Sequence, residues 1–134
     1  MRRVLFLALL TLISFRNHAD AEIWNCIVER KIDAQRTFSE ADIERFKPRA
    51  VLVLSDAGAL IGRCSISISA GNKDTCDYYD ADKLELDPFV GIIKAYYFSG
   101  QMDLQIYPNP DRNGGRFIEN NGRGSISFGT CVVS

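Results

Sequence analysis

Four cysteines, Cys26, Cys64, Cys76 and Cys131, are the feature that most restricts what this chain can fold into. What they do depends on the compartment, and the first residues speak to that. The stretch "MRRVLFLALLTLISF" sets Arg2 and Arg3 before an apolar run from Val4 to Phe15, and "RNHADA" then offers small residues at Ala19 and Ala21. That layout predicts a cleavable secretory signal peptide over 1–21, cut after Ala21. The apolar run is too short for a hydrocarbon layer of roughly 30 Å, which takes about twenty residues, so no stable membrane anchor is expected. No cysteine lies near the cut, so a bacterial lipid anchor would lack its attachment point. The expectation is a secreted chain, periplasmic if its source is Gram-negative; the lack of any N-x-S/T sequon leans the same way.

In an oxidising compartment an even number of cysteines in a small domain pairs into bridges. Metal spacing such as C-x-x-C does not occur. The expected pairs are Cys26 with Cys131, joining the first and last strands, and Cys64 with Cys76 across a local loop. Residues 22–134 make a single β-rich domain of ordinary size.

The same leader removes much of the basic charge. Of 16 basic and 17 acidic side chains, Arg2, Arg3, Arg16 and Asp20 leave with it, so 13 face 16 and the formal charge is −3. Nucleic acid is therefore not an expected partner, because displacing phosphate counterions needs a concentrated basic face. From Asp74 to Asp87 six carboxylates accompany only Lys83, which reads as a solvated acidic edge. His18, the only histidine, sits in the leader. A mature chain without histidine excludes Ser-His-Asp and Cys-His catalysis and histidine-ligated zinc. Lys73 and Lys94 lie in solvated-looking surroundings and no S-x-x-K occurs, so Ser-Lys catalysis has no support either. Asp77, Asp80, Asp82, Glu85 and Glu119 remain as raw material for a carboxylate pair, but a domain of this size leaves little room for the long cleft such pairs serve. The expectation is a protein that is not an enzyme and needs no cofactor.

Alternation then sketches the fold. "EIWNCIVERKID" places Trp24, Cys26 and Val28 on one side of a strand. In "TFSEADIERFKP" the period changes: Ser39 and Asp42 form a capping box, Phe38 can staple onto Ile43, and Pro48 ends a short helix over Glu40–Phe46. A hairpin about Asp56–Gly58 follows, with Leu60, Gly62, Cys64, Ile66 and Ile68 opposed to Ile61, Arg63, Ser65, Ser67 and Ser69, one face being wet. "TCDYY" and "KLELD" are short extended pieces, Pro88 stops pairing, and Met102, Leu104 and Ile106 alternate after a turn at Ser99–Gly100. The sum is a mostly-β protein: an antiparallel barrel or sandwich of about seven or eight strands with one short helix, disulfide-stabilised.

The segment "NPDRNGGRFIENNGRG" invites a metal reading. Asn109, Asp111, Asn113 and Gly114 fall at positions one, three, five and six of a twelve-residue calcium loop. Position twelve is Asn120 where a bidentate carboxylate is needed, and the flanks read as strands, so no metal site is assigned; weak calcium binding at Asp111 or Asp80 is the residual reading. Two turns explain the segment, with Asn121–Gly122 as a hairpin turn whose two positions take positive φ. In "NGRGS" the glycines open a strand and not a helix, so no phosphate cradle is expected.

The function expected is a non-catalytic protein-binding or inhibitory module of the cell envelope, acting as a monomer on an unknown protein partner. Its loop candidates are Tyr107, Asn109, Asp111, Arg112 and Asn113, held on a rigid scaffold. One alternative is a small-ligand carrier with an apolar barrel pocket lined by Tyr78, Tyr96 and Phe98; another is a structural surface protein. In size, leader and bridges the chain resembles the small exported bacterial β-barrels that inhibit lysozymes or proteases, a likeness of architecture to which no residue-level motif is attached.

Overall fold

The computed structural model describes residues 20–134. Nearly all of the expected leader, including His18, lies outside the described residues. Nine strands and one helix follow in the order β1 (Glu22–Asp33), α1 (Glu40–Phe46), β2 (Arg49–Ser55), β3 (Gly58–Ser67), β4 (Lys73–Asp80), β5 (Lys83–Leu86), β6 (Ile93–Tyr97), β7 (Met102–Pro108), β8 (Gly114–Asn120) and β9 (Ser125–Val133). The strands pair antiparallel in one sheet, ordered β4-β3-β2-β1-β9-β8-β7-β6-β5. The count exceeds seven or eight because both short pieces flanking Ala81 pair, β4 with β3 and β5 with β6.

Two meanders build this sheet, β1 to β4 running out to one edge and β5 to β9 returning from the other until β9 meets β1. Consecutive strands β4 and β5 therefore stand at opposite edges, joined only by Ala81 and Asp82. So short a link draws the edges together at one end, and the sheet curls into a half-barrel. Ala81 N–H donates to the Ala59 carbonyl at 2.9 Å and Asp82 N–H to the Tyr96 carbonyl at 2.8 Å, stitching the link to both flanks. Beside it the Tyr79 and Tyr97 rings meet at 4.8 Å.

The concave face is the core. Trp24, Leu52, Ile61, Ile93, Leu104, Ile106 and Phe117 are fully buried there, each contributing on the order of 1.5–3 kcal/mol by leaving water. Cys26 lies opposite Cys131 in the β1–β9 register, and Cys64 opposite Cys76 in β3–β4. Both pairs are bridged, the first inside the core and the second toward the convex face near the β4 edge. Direct opposition puts the Cα atoms 3.9 Å and 4.1 Å apart, the close spacing of pairs that exchange no ladder hydrogen bond.

Two local expectations change. On β3 the alternation holds, but Ile61, Arg63 and Ser65 face the concave side, so the polar half of the pattern points inward. Arg63 tolerates this because Glu119 on β8 meets it at 3.0 Å. At the β8–β9 connection, Gly122 (φ 70°) and Gly124 (φ 90°) carry the positive φ angles, not the Asn121–Gly122 pair. Asn121 serves as an acceptor instead, its Oδ1 taking the N–H groups of Arg123 at 2.8 Å and Ser125 at 3.1 Å.

Helix α1 rests on β1 and β3, with Ile43 against the core. Its capping box is complete: Asp42 N–H donates to Ser39 Oγ at 3.1 Å and Ser39 N–H to Asp42 Oδ2 at 3.2 Å. Lys47 closes the other end in the left-handed region (φ 43°), its N–H donating to the Ile43 carbonyl at 2.8 Å. Replacing Ser39 by Ala is expected to lower stability by about 1 kcal/mol. Denaturant unfolding checks this, and a Ser39→Asp variant should recover most of the loss.

Candidate functional site

The loop favoured on sequence grounds, Asn109–Asn113, is a tight turn between β7 and β8. Asn109 N–H donates to the Gly114 carbonyl at 2.8 Å and Arg112 N–H to the Asn109 carbonyl at 2.9 Å. Asp111 accepts the Asn113 N–H at 3.1 Å, and the Asn113 carbonyl accepts the Val133 N–H at 3.0 Å. Arg112 reaches across to Glu22 at 3.4 Å and lies over the Trp24 ring. These contacts fix the backbone of the turn while its side chains stay exposed, with the Asp111 carboxylate engaged by Asn113. Tyr107 stands apart from the turn, on the convex face, where its hydroxyl donates to Gln105 at 3.1 Å. Asn109, Asp111, Arg112 and Asn113 thus share one exposed turn, and Tyr107 stands outside it.

The acidic stretch is similarly dispersed. Asp82 accepts the Phe98 N–H at 2.7 Å, Glu85 pairs with Lys83 at 2.6 Å and with the Tyr96 hydroxyl at 3.2 Å, and Asp80 is exposed. Among the described residues no three His, Cys, Asp or Glu side chains converge as metal ligands would. The aromatics proposed for a carrier pocket are also misplaced for that role. Tyr78 is exposed on the convex face across Gly62, Tyr96 is on the same face, and Phe98 is exposed in the β6–β7 turn. Alternation explains the correction: Tyr78 opposes Gly62 and Tyr96 opposes Asp103, both outward positions.

A different feature stands out at the β5 edge. Leu84 and Leu86 fall on the concave side by register with Ala95 and Ile93, yet they remain exposed because β5 has a neighbour on one flank only. The turn that follows carries Phe89, 93% exposed, and Val90, 66% exposed. An exposed phenylalanine normally ends in a mobile loop, but this one is clasped. Asp87 Oδ1 accepts the Phe89 N–H at 2.8 Å and the Val90 N–H at 3.0 Å, while Gly91 N–H donates to the Asp87 carbonyl at 2.9 Å and Asp87 N–H to the Ile92 carbonyl, also 2.9 Å. The Val90 and Phe89 N–H groups hold the Asp87 carboxyl below the usual aspartate range. Gly91, at φ 70°, takes the conformation that lets the turn close.

In the sequence this tip is hidden because "LELDPFVGII" resembles an apolar strand interrupted by Pro88. The D-x-F-V spacing, an aspartate two and three residues before the amides it accepts, was the available signal. Comparison with protein families, curated proteins and solved structures returned no match to this chain. What fold and site define is a class, a disulfide-tied antiparallel half-barrel that presents an ordered apolar tip beside an open sheet edge.

Proposed function

We propose that the protein is a non-catalytic binding or inhibitory module of the cell envelope, exported by the residue 1–21 leader, and that Phe89 and Val90 are its contact with a protein partner. The observation that carries the reading is the pairing of near-complete exposure with a fixed backbone at Phe89. Isolated surface apolar residues are ordinary, but Leu84, Leu86, Phe89 and Val90 are all exposed along one edge strand and the turn that follows it, a concentration that favours an interaction site. A backbone already fixed spares the cost of ordering the loop on binding, and large aromatic side chains dominate interface energetics. The filled concave core supports a scaffold role for the sheet, and two bridges fit an oxidising compartment.

Site-specific photocrosslinking tests this directly. With p-benzoylphenylalanine in place of Phe89, irradiation in the native envelope should yield one discrete adduct, absent when the probe replaces exposed Asn72. Crosslinking at neither position, or equally at both, counts against the tip. Asp87→Ala should leave the core folded while raising the chymotryptic cleavage rate after Phe89 by about tenfold, since local opening no longer breaks the clasp. The pH sign follows from the lowered Asp87 pKa: the clasp is intact above the ordinary aspartate value of 3.8 and is lost as pH falls through the lowered one. Amide proton shifts of Phe89 and Val90 should titrate together with a midpoint below 3.8.

A further inference from the structure

A recess of about 540 Å³ opens on the convex face over β1, β9 and β8. A bulge makes it. The β1–β9 register steps from Val28↔Gly129 to Arg30↔Phe128, so Glu29 is an extra residue in β1. The extra residue breaks the alternation and sends Glu29 and Arg30 both outward: Glu29 accepts the Thr130 hydroxyl at 2.9 Å, and the Arg30 guanidinium lies over the Phe128 ring at 5.7 Å. Opposite the bulge stands Gly129, where any Cβ would run into the Ile27 carbonyl and meet the Phe117 ring at 2.8 Å. Bulges re-aim side chains in this way and recur beside binding sites.

The walls combine two chemistries. Phe128, Ile118 and Tyr107 are apolar surfaces, and Arg30 and Arg116 place two guanidiniums at the same recess. Neither arginine has a carboxylate within ion-pair distance among the described residues, and Glu29, the carboxylate in the recess, is occupied by Thr130. A hydrogen bond from a neutral hydroxyl leaves the Glu29 charge in place, so the recess holds two guanidiniums against one carboxylate, and that excess of one positive charge leaves room for an external anion. The apolar walls would add nothing for a bare inorganic ion, and the volume falls within the roughly 300–1,000 Å³ of small-molecule sites.

We propose that this recess binds a small organic acid, a carboxylate attached to an aromatic or aliphatic body. Arg116 and the free edge of Arg30 take the carboxylate through paired N–H donors, and Phe128 and Ile118 cover the apolar body. The site is separate from the Phe89 tip and does not depend on it.

The probe is 1-anilinonaphthalene-8-sulfonate, an aromatic anion, titrated into the folded protein carrying Phe89→Ser and Val90→Ser, which removes the two most exposed apolar side chains of the tip. One saturable, fluorescent site is expected, displaced by dodecanoate and at least tenfold less well by dodecanol or inorganic sulfate. Arg116→Gln should weaken probe and dodecanoate about tenfold, as expected for losing one charge-assisted contact, with the melting temperature unchanged. Ile118→Glu should abolish binding, and dodecanoate should shift the amide resonances of Ile118 and Gly129 selectively. Equal affinity in Arg116→Gln, displacement by sulfate as effective as by dodecanoate, or no saturable binding overturns the proposal.

Discussion

Replacing Cys26 and Cys131 together by alanine is expected to lower the unfolding free energy by about 4–5 kcal/mol, whereas the Cys64/Cys76 double replacement should cost about 3 kcal/mol. The difference has its origin in the unfolded chain, where one bridge closes a separation of 105 residues and the other one of 12. The native contexts push the same way. Cys26 and Cys131 are buried in the core beside Trp24 and Phe117, so truncation also leaves a gap, while Cys76 is exposed at the β4 edge. The long bridge further ties the first strand to the last at the seam between the two meanders. A domain of this size is stable by about 5–15 kcal/mol, so the first variant should be close to unfolding at 37 °C and the second should not. Denaturant unfolding of both variants decides the matter, and equal losses would sink the chain-entropy account.

Arg63→Leu is expected to cost about 3 kcal/mol at neutral pH, the lower end for breaking a buried pair because Arg63 keeps some contact with water. It strands the Glu119 carboxylate, whose side chain is 5% exposed, among Val28, Ser127 and the remaining half-buried Lys31. Burial already pushes the Glu119 pKa up, opposed by the Arg63 charge and hydrogen bond and by Lys31, while Asp103 adds to the rise. A raised carboxyl pKa means that the native state holds its proton more tightly than the unfolded chain. That contribution to stability is fully present below the unfolded pKa and is lost as pH rises through the folded value. Removing the guanidinium would raise the Glu119 pKa further, so the deficit of the variant should shrink on acidification and grow toward neutrality.

Glu119→Gln should cost less, about 1 kcal/mol, since the amide oxygen still accepts from Arg63. It leaves Lys31 facing Arg63 without the intervening charge. Burial and then Arg63 already lower the Lys31 pKa, and Glu119 opposes them, so Lys31 should titrate lower still in this variant. Unfolding curves for both variants across pH 4–8, with NMR titration of Lys31, check these signs. A deficit for Arg63→Leu that widens as pH falls would contradict the account.

Local order was legible where one residue's chemistry meets a near neighbour. Ser39 and Asp42 are three apart and cap the helix. Trp24, Cys26 and Val28 bury one side of β1, and Met102, Leu104 and Ile106 one side of β7, as period two requires. The antiparallel, bridged, mostly-β architecture followed from such runs. Fewer strands were expected than form: "TCDYY" and "KLELD" read as short extended pieces, and whether such pieces pair is decided by the strands that come to lie beside them.

The site was much less legible. Nothing near Arg63 says that an arginine among serines points inward, because its partner Glu119 is 56 residues away and on a strand reached from the opposite edge. Nothing near Glu29 announces a bulge, which exists only in the register between β1 and β9. The exposure of Phe89 depends on β5 being last in the strand order, with nothing laid over it.

By itself, then, the sequence determined the alternation of most strands, the helix cap and the mostly-strand character, because propensity, alternation and capping act over a few residues. Which face became the inside, where two arginines came together and which apolar residues stayed in water were decided by the tertiary structure alone. Those outcomes depend on strand order and on the two-residue Ala81–Asp82 link that curls the sheet, and both are set by the free energy of the whole assembled sheet rather than by any one segment.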